Sequence, residues 1–294
     1  MKKIAGVALI IIGAVLFLST FGSLSVFNLS GLNNGGEKVE NVDQPLEGNT
    51  ELFIESTSVD IRVEPSSNEN MSVDVIDKRR NQTLRVEERG NRLTIRMEER
   101  NSISIPFLSP RRSTEMIIYI PEVNISSFEA KSVSGDITIN TPLESEEVFL
   151  KTISGDVHSS LITADEVSIH STSGDLQADS IESEKLVIKS TSGDIEVESF
   201  SGELDANTVS GDILVTYTHD HKDANLKTVS GDITMWVRNL NAQVDLKTTS
   251  GGFTIDEQLT EQQFQSRSLK GTAGSGEYVV TAVTVSGDTK LLNK

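Results

Sequence analysis

At 294 residues the chain is long enough for one large or two ordinary domains, and 44 Asp+Glu against 26 Lys+Arg leave a formal net charge of −18. Phosphate binding needs concentrated Lys and Arg, so this balance argues against a nucleic-acid partner. Zero Cys excludes disulfides, thiolate metal sites and thiol nucleophiles, and four His leave little material for general acid–base chemistry or metal ligation.

Lys2 and Lys3 precede an uncharged run of 18 residues, Ile4 to Phe21. As a helix it would be about 27 Å long, close to the ~30 Å hydrocarbon core of a bilayer. Lysines before the run and acidic residues after it predict a single-pass anchor over residues 1–27, with a cytoplasmic N-terminus and the remainder outside. Thr20-Phe21-Gly22 is a poor signal-cleavage site, so the anchor is expected to stay uncleaved. Residues 28–50 combine Gly31, Asn33, Asn34, Gly35, Gly36, Pro45 and Gly48 without an apolar period, the composition of a flexible linker.

Over 51–127 the pattern is irregular. Leu52, Ile54, Ser56, Val59, Ile61 and Val63 already fit the repeat described next, with Val59 where a Gly would stand. A β-branched residue there implies a relaxed corner. Met71 to Val75, Thr83 to Val86 and Arg92 to Met97 alternate, and Arg89-Gly90-Asn91 reads as a hairpin loop, so this region is expected as irregular coils or antiparallel strands.

From 128 to 294 the chain repeats itself. Ser-Gly-Asp recurs with its Gly at 135, 155, 174, 193, 211 and 231, and Ser250-Gly251-Gly252 is a degenerate seventh copy; spacings run from 18 to 20 residues. Seven residues before the Gly stand Phe128, Val148, Val167, Leu186, Leu204, Ala224 and Val244. Five before stand Ala130, Leu150, Ile169, Ile188, Ala206, Leu226 and Leu246; two after stand Ile137, Val157, Leu176, Ile195, Ile213, Ile233 and Phe253. A spacing of two with every position apolar turns one strand face inward. Position minus three is always Ser or Thr, and position minus two always β-branched. Each unit reads as strand, tight corner at Gly135, Gly155, Gly174, Gly193, Gly211, Gly231 or Gly251, short strand and polar return. A period this short leaves no room for a helical crossover, so the units should stack as a parallel β-solenoid, an all-β fold stabilised by neighbours. Val280, Ala282, Thr284, Ser286, Gly287 and Asp288 add a copy at the far end.

A membrane span, a β-rich region closing with Ile117-Ile118-Tyr119-Ile120-Pro121 and recurrent Ser-Gly-Asp coils together resemble the bacterial "putative adhesin" domains of unknown function. The anchored form is similar to LiaG-like proteins of the Lia cell-envelope stress system. The resemblance covers roughly residues 50–290 and implies a β-solenoid, an envelope location and no established catalytic residues.

Four features could carry chemistry. The ladder Asp136, Asp156, Asp175, Asp194, Asp212 and Asp232 is either a Ca²⁺ stack or a set of corner hydrogen-bond acceptors, with Gly supplying positive φ. His219-Asp220-His221 with Asp223 could hold a metal, or could be an exposed return loop. Between Lys78 and Arg112 stand 10 Lys+Arg against 4 Asp+Glu, whereas 12 face 29 from Ser113 onward. The basic stretch reads as a solvated hairpin, or as a contact with envelope proteins, anionic lipid headgroups or wall polymer. Arg238 and Trp236 are the one Arg–Trp pairing available within the coils for a carbohydrate-active enzyme. The reading that follows is a membrane-anchored, extracytoplasmic, non-catalytic binding or scaffold module needing no cofactor. A carbohydrate-active β-helix enzyme and a Ca²⁺-stiffened spacer are the alternatives.

Overall fold

The structure is a computed structural model, described here for residues 42–100 and 113–294. The expected anchor lies outside the described residues, as does the linker before residue 42. Among the described residues no helix is long and apolar enough to cross a membrane.

The fold is all-β and mostly parallel. Val42–Pro45 (β1) falls within the expected linker yet forms a strand. Its proline sits at the end of an edge strand, where a missing N–H costs no ladder bond. Glu51–Ser56 (β2) enters a corner and Asp60–Pro65 (β3) leaves it. Asn70–Ile76 (β4), Gln82–Arg89 (β5) and Arg92–Glu99 (β6) follow, then Glu115–Ile120 (β7). β5 and β6 form the expected antiparallel hairpin, with Gly90 at φ 60° in its turn.

The repeats supply Ile125–Lys131 (β8), Ile137–Ile139 (β9), Leu143–Lys151 (β10), Val157–His170 (β11), Leu176–Lys189 (β12), Ile195–Asn207 (β13) and Ile213–Lys227 (β14). Ile233–Val237 (β15), Ala242–Lys247 (β16), Phe253–Ile255 (β17), Thr260–Gln265 (β18), Ser268–Thr272 (β19), Tyr278–Val283 (β20) and Thr289–Asn293 (β21) complete the chain. The polar return is not a loop in the middle coils. β11 to β14 run through it as continuous strands, leaving one corner and bending round into the next.

Strands entering corners form one face, in the order β5-β6-β2-β8-β10, then the C-terminal halves of β11 to β14, then β20-β16-β19-β18. Strands leaving corners form the other, in the order β1-β4-β7-β3-β9, then the N-terminal halves of β11 to β14, then β15-β21-β17. The core lies between. All the aligned inward residues are buried except Phe253, which is half-buried on the last level. Ile169 and Ile188 are direct register partners, 2% and 1% exposed.

Chain order and stacking order part company at both ends. β2–β3 lies between the β6–β7 level and the β8–β9 level. At the far end the β16–β17 coil does not rest on the preceding repeat. It climbs one level too far, and β20–β21 returns to fill the slot between β14–β15 and β16–β17. The Gly251 corner therefore stacks on Gly287, and Gly287 on Gly231.

Candidate functional site

The corner edge is the densest polar feature of the stack. A Cβ added to Gly135, Gly155, Gly174 or Gly193 would stand 2.1 to 2.3 Å from a carbonyl oxygen of the preceding corner. Close backbone approach is thus the requirement common to all of these corners. Positive φ is needed only from Gly174 onward, as at Gly193 with φ 142°; Gly135 and Gly155 are outside that region, a correction to the expected role of every Gly. The two kinds of corner use their N–H groups differently. Val59 and Gly135 donate to Ser56 Oγ and Ser132 Oγ within their own corner, at 2.9 and 2.8 Å. Gly174 and Gly193 instead donate to the next level, to the carbonyls of Ser192 and Ser210. Val59 belongs to the first kind and is not at positive φ, the conformation a β-branched residue resists.

The aspartate ladder links the levels. Asp136 Oδ1 accepts the N–H of Asp156, Asp156 that of Asp175, Asp175 that of Asp194, Asp194 that of Asp212 and Asp212 that of Asp232, at 2.7 to 2.9 Å. Asp60 begins the series, and Asp232 and Asp288 continue it to Gly252 N–H. The last corner has no further corner N–H to receive, so the Gly at 252 costs no such bond. The Asp288 N–H, joined by Lys290 Nζ 3.3 Å from Oδ2, holds the Asp232 carboxyl below the usual carboxylate range. Threonine hydroxyls reinforce the same edge: Thr228, Thr284 and Thr248 donate to the carbonyls of Gly211, Gly231 and Gly287 at 3.0 to 3.1 Å.

The structure separates the histidine cluster. His219 is exposed, whereas His221 is buried between the rings of Tyr217 and Tyr278. Its Nε2 accepts the Asn241 N–H at 2.8 Å and its Nδ1 lies 3.0 Å from the Lys222 carbonyl, so the tautomer protonated at Nδ1 satisfies both. Asp223 Oδ1 is engaged by Val279 N–H. Among the described residues no group of three or more His, Asp or Glu could hold a metal. In the basic segment Arg85, Arg89, Arg92 and Arg96 pair with Glu98, Glu87, Glu51 and Glu55. Arg238 is exposed and Trp236 half-buried on the outside of β15.

Two features escaped the sequence reading. At the far end the inward row Leu246, Leu269, Phe264 rises from 0% through 5% to 69% exposure, because β19 and β18 extend one face beyond the other. Beneath them opens a cavity of about 430 Å³ whose lining mixes apolar Phe253, Ile255, Leu259, Phe264 and Leu269 with polar Glu257, Gln258 and Gln262. The other feature is the outward residue four before each corner Gly. In stack order it is Lys131, Lys151, His170, Lys189, Asn207, Lys227, Val283 and Lys247, each the register partner of the next. The column and its alternation from Lys151 to Lys227 are visible in the aligned repeats; the Val283 level before Lys247 is not, because it reaches its place through the out-of-order coil.

Paired faces, a corner ladder of glycines and stacking over nearly the whole described chain agree with the family comparison. The model of the Toastrack DUF4097 family matches residues 49–292. The chain belongs to this family. Among solved structures, a "putative adhesin" from Parabacteroides distasonis aligns with TM-score 0.51 and 14% identity, covering 87% of this chain and 97% of that one. One from Parabacteroides merdae gives 0.50 and 12%, covering 88% and 98%. One from Bacteroides fragilis gives 0.45 and 15%, covering 88% and 98%. No curated protein matches the chain. At these identities the likeness is one of fold.

Proposed function

We propose that this Toastrack chain is a membrane-anchored, extracytoplasmic module that binds or scaffolds other envelope components without catalysis, and that it serves the envelope-stress response as a LiaG-like protein. The observation that carries the reading is the employment of the corner aspartates. Each Oδ1 of the ladder accepts a backbone N–H of the next level. The acidic edge is thereby a structural spine, and the repeated surface becomes a regular platform of the kind solenoids use for binding. The description of two Parabacteroides structures as "putative adhesin" supports the same direction. Lys2, Lys3 and the uncharged run after them support the anchor and its orientation.

Protease added to intact wall-free cells should degrade the repeats and leave a short N-terminal fragment, and in-cell crosslinking should capture envelope proteins or polymers. Complete protection of the repeats would overturn the topology. Turnover of an envelope polysaccharide by the purified chain would overturn the non-catalytic reading.

A further inference from the structure

We infer that the lysine row of the entering face is a binding track for a single linear polyanion, laid along the stacking direction. This goes beyond the preceding reading and does not depend on where the chain resides. From residue 113 onward the chain has only 12 Lys+Arg, and five of them stand in this one column. Like charges directly opposite on neighbouring strands destabilise a sheet. From Lys151 onward the row meets that cost by alternation: Lys151, Lys189 and Lys227 occupy every second level, with His170 and Asn207 between them, while Lys131, directly opposite Lys151, is offset by its pairing with Glu129. Strand spacing places these cations about 9.6 Å apart, comparable to the Debye length of ~8 Å at physiological salt. This spacing is open enough to fold and close enough for the cations to act together.

The row is not neutralised by its surroundings. Its two end lysines are paired, Lys131 with Glu129 and Lys247 with Asp245. Lys151, Lys189 and Lys227 have no ion pair among the described residues. Among the next outward residues away from the corner, Phe149, Ser168, Val187 and Asn225 are uncharged, and the one carboxylate between them, Asp205, accepts the side-chain amides of Asn207 and Asn225.

The shape of the track selects the ligand. Beyond those neutral positions lie the exposed carboxylates Glu147 and Glu166, and across the corner runs the aspartate ladder. A flat anionic surface such as a lipid headgroup layer would meet the acidic rows together with the lysines. A single extended chain carrying phosphate-type charges laid along Lys151, Lys189 and Lys227 avoids both acidic rows and passes one flanking carboxylate, Asp205. Ammonium groups on flexible stems suit such a ligand, because they act as point charges and demand no fixed acceptor geometry.

The test uses the full chain in neutral detergent micelles and fluorescently labelled inorganic polyphosphate of defined length, read by anisotropy across a salt series. The combined variant K151Q, K189Q and K227Q should weaken binding at least about tenfold and flatten the slope of log K against log salt by about 2, at ~0.7 per cation for a single-stranded polyanion. A control with the same charge change elsewhere, K185Q, K222Q and K270Q, should weaken it less than about threefold. K189Q alone, at an exposed position, should give an intermediate loss with an unchanged far-UV spectrum. Equal losses in the two triple variants would overturn the track, as would absence of polyphosphate binding by the native chain. Loss of binding to phosphatidylglycerol vesicles with polyphosphate binding intact would overturn it in favour of a membrane surface.

Discussion

Asp194 shows what a corner residue contributes. Its Oδ1 accepts the N–H of Asp212 at 2.8 Å, while its own N–H donates to Asp175 Oδ1 at 2.9 Å. Asparagine keeps the acceptor and removes one of a line of like charges. D194N should therefore match the native chain within about 0.5 kcal/mol in urea unfolding, whereas D194A should lose about 0.5–1.5 kcal/mol, one hydrogen bond. A cation stack would instead show cation-dependent stability that D194N abolishes. His170 reports on the lysine row: burial, and then the charges of Lys189 and Lys151, lower its pKa below the ordinary value. The unfolded chain then takes up a proton before the folded one does. The contribution of His170 to stability is full above pH 6.5 and declines as pH falls from there through the folded pKa. An NMR titration should place its midpoint below 6.5 in the native chain and higher in K189Q. An unmoved midpoint would deny the coupling between neighbouring levels.

At the scale of the element, one coil is a strand pair whose inward side chains touch the levels above and below. Ile188 sits directly against Ile169, and both are buried, while Lys189 faces out. I188A should cost about 2–5 kcal/mol, and K189A should be nearly silent, both by chemical denaturation. The corner glycines are more demanding than conformation alone implies. At Gly193 a methyl group would meet both φ 142° and the Gly174 carbonyl 2.1 Å away. G193A should therefore cost more than the ~1–3 kcal/mol of backbone strain by itself. Gly90 is the comparison: its φ is 60°, but a Cβ there meets nothing within 4 Å. G90A should show the strain without the clash, and so a smaller loss.

For the whole molecule, the out-of-order coil is the feature with the largest consequence. β20–β21 lies between the β14–β15 level and the β16–β17 level, contributing Val280, Ala282, Thr289 and Leu291 to the interior. A chain ending at residue 277 would keep the β16–β17 coil but deprive it of every parallel partner and expose the edges of β14 and β15. Such edges template association between copies. Deletion of 278–294 should unfold the distal levels, seen as lost hydrogen-exchange protection from about residue 224 onward, and should promote aggregation. Protection confined to its native pattern would show that the slot can close by itself.

Much of this fold was legible in the chain. Twenty-one aligned apolar positions, a period of 18 to 20 and the Ser-Gly-Asp corners dictate inward faces and stacked parallel strands, because a two-residue alternation has only one way to bury its apolar side. Val59 announced its relaxed corner, and the hairpin at Gly90 stood out by its turn residues. The order of the levels could not be read off. Leu246 pairs through Ala282 rather than with Leu226 directly, and repeats this similar offer equally good partners to several neighbours. Which level fills which slot depends on connections such as the β18–β19 hairpin, whose span carries no repeat signal. The same holds at one end of the lysine row: the spacing of Lys151, Lys189 and Lys227 follows chain order, but the separation of Lys227 from Lys247 is set by the coil that tertiary packing inserts between them.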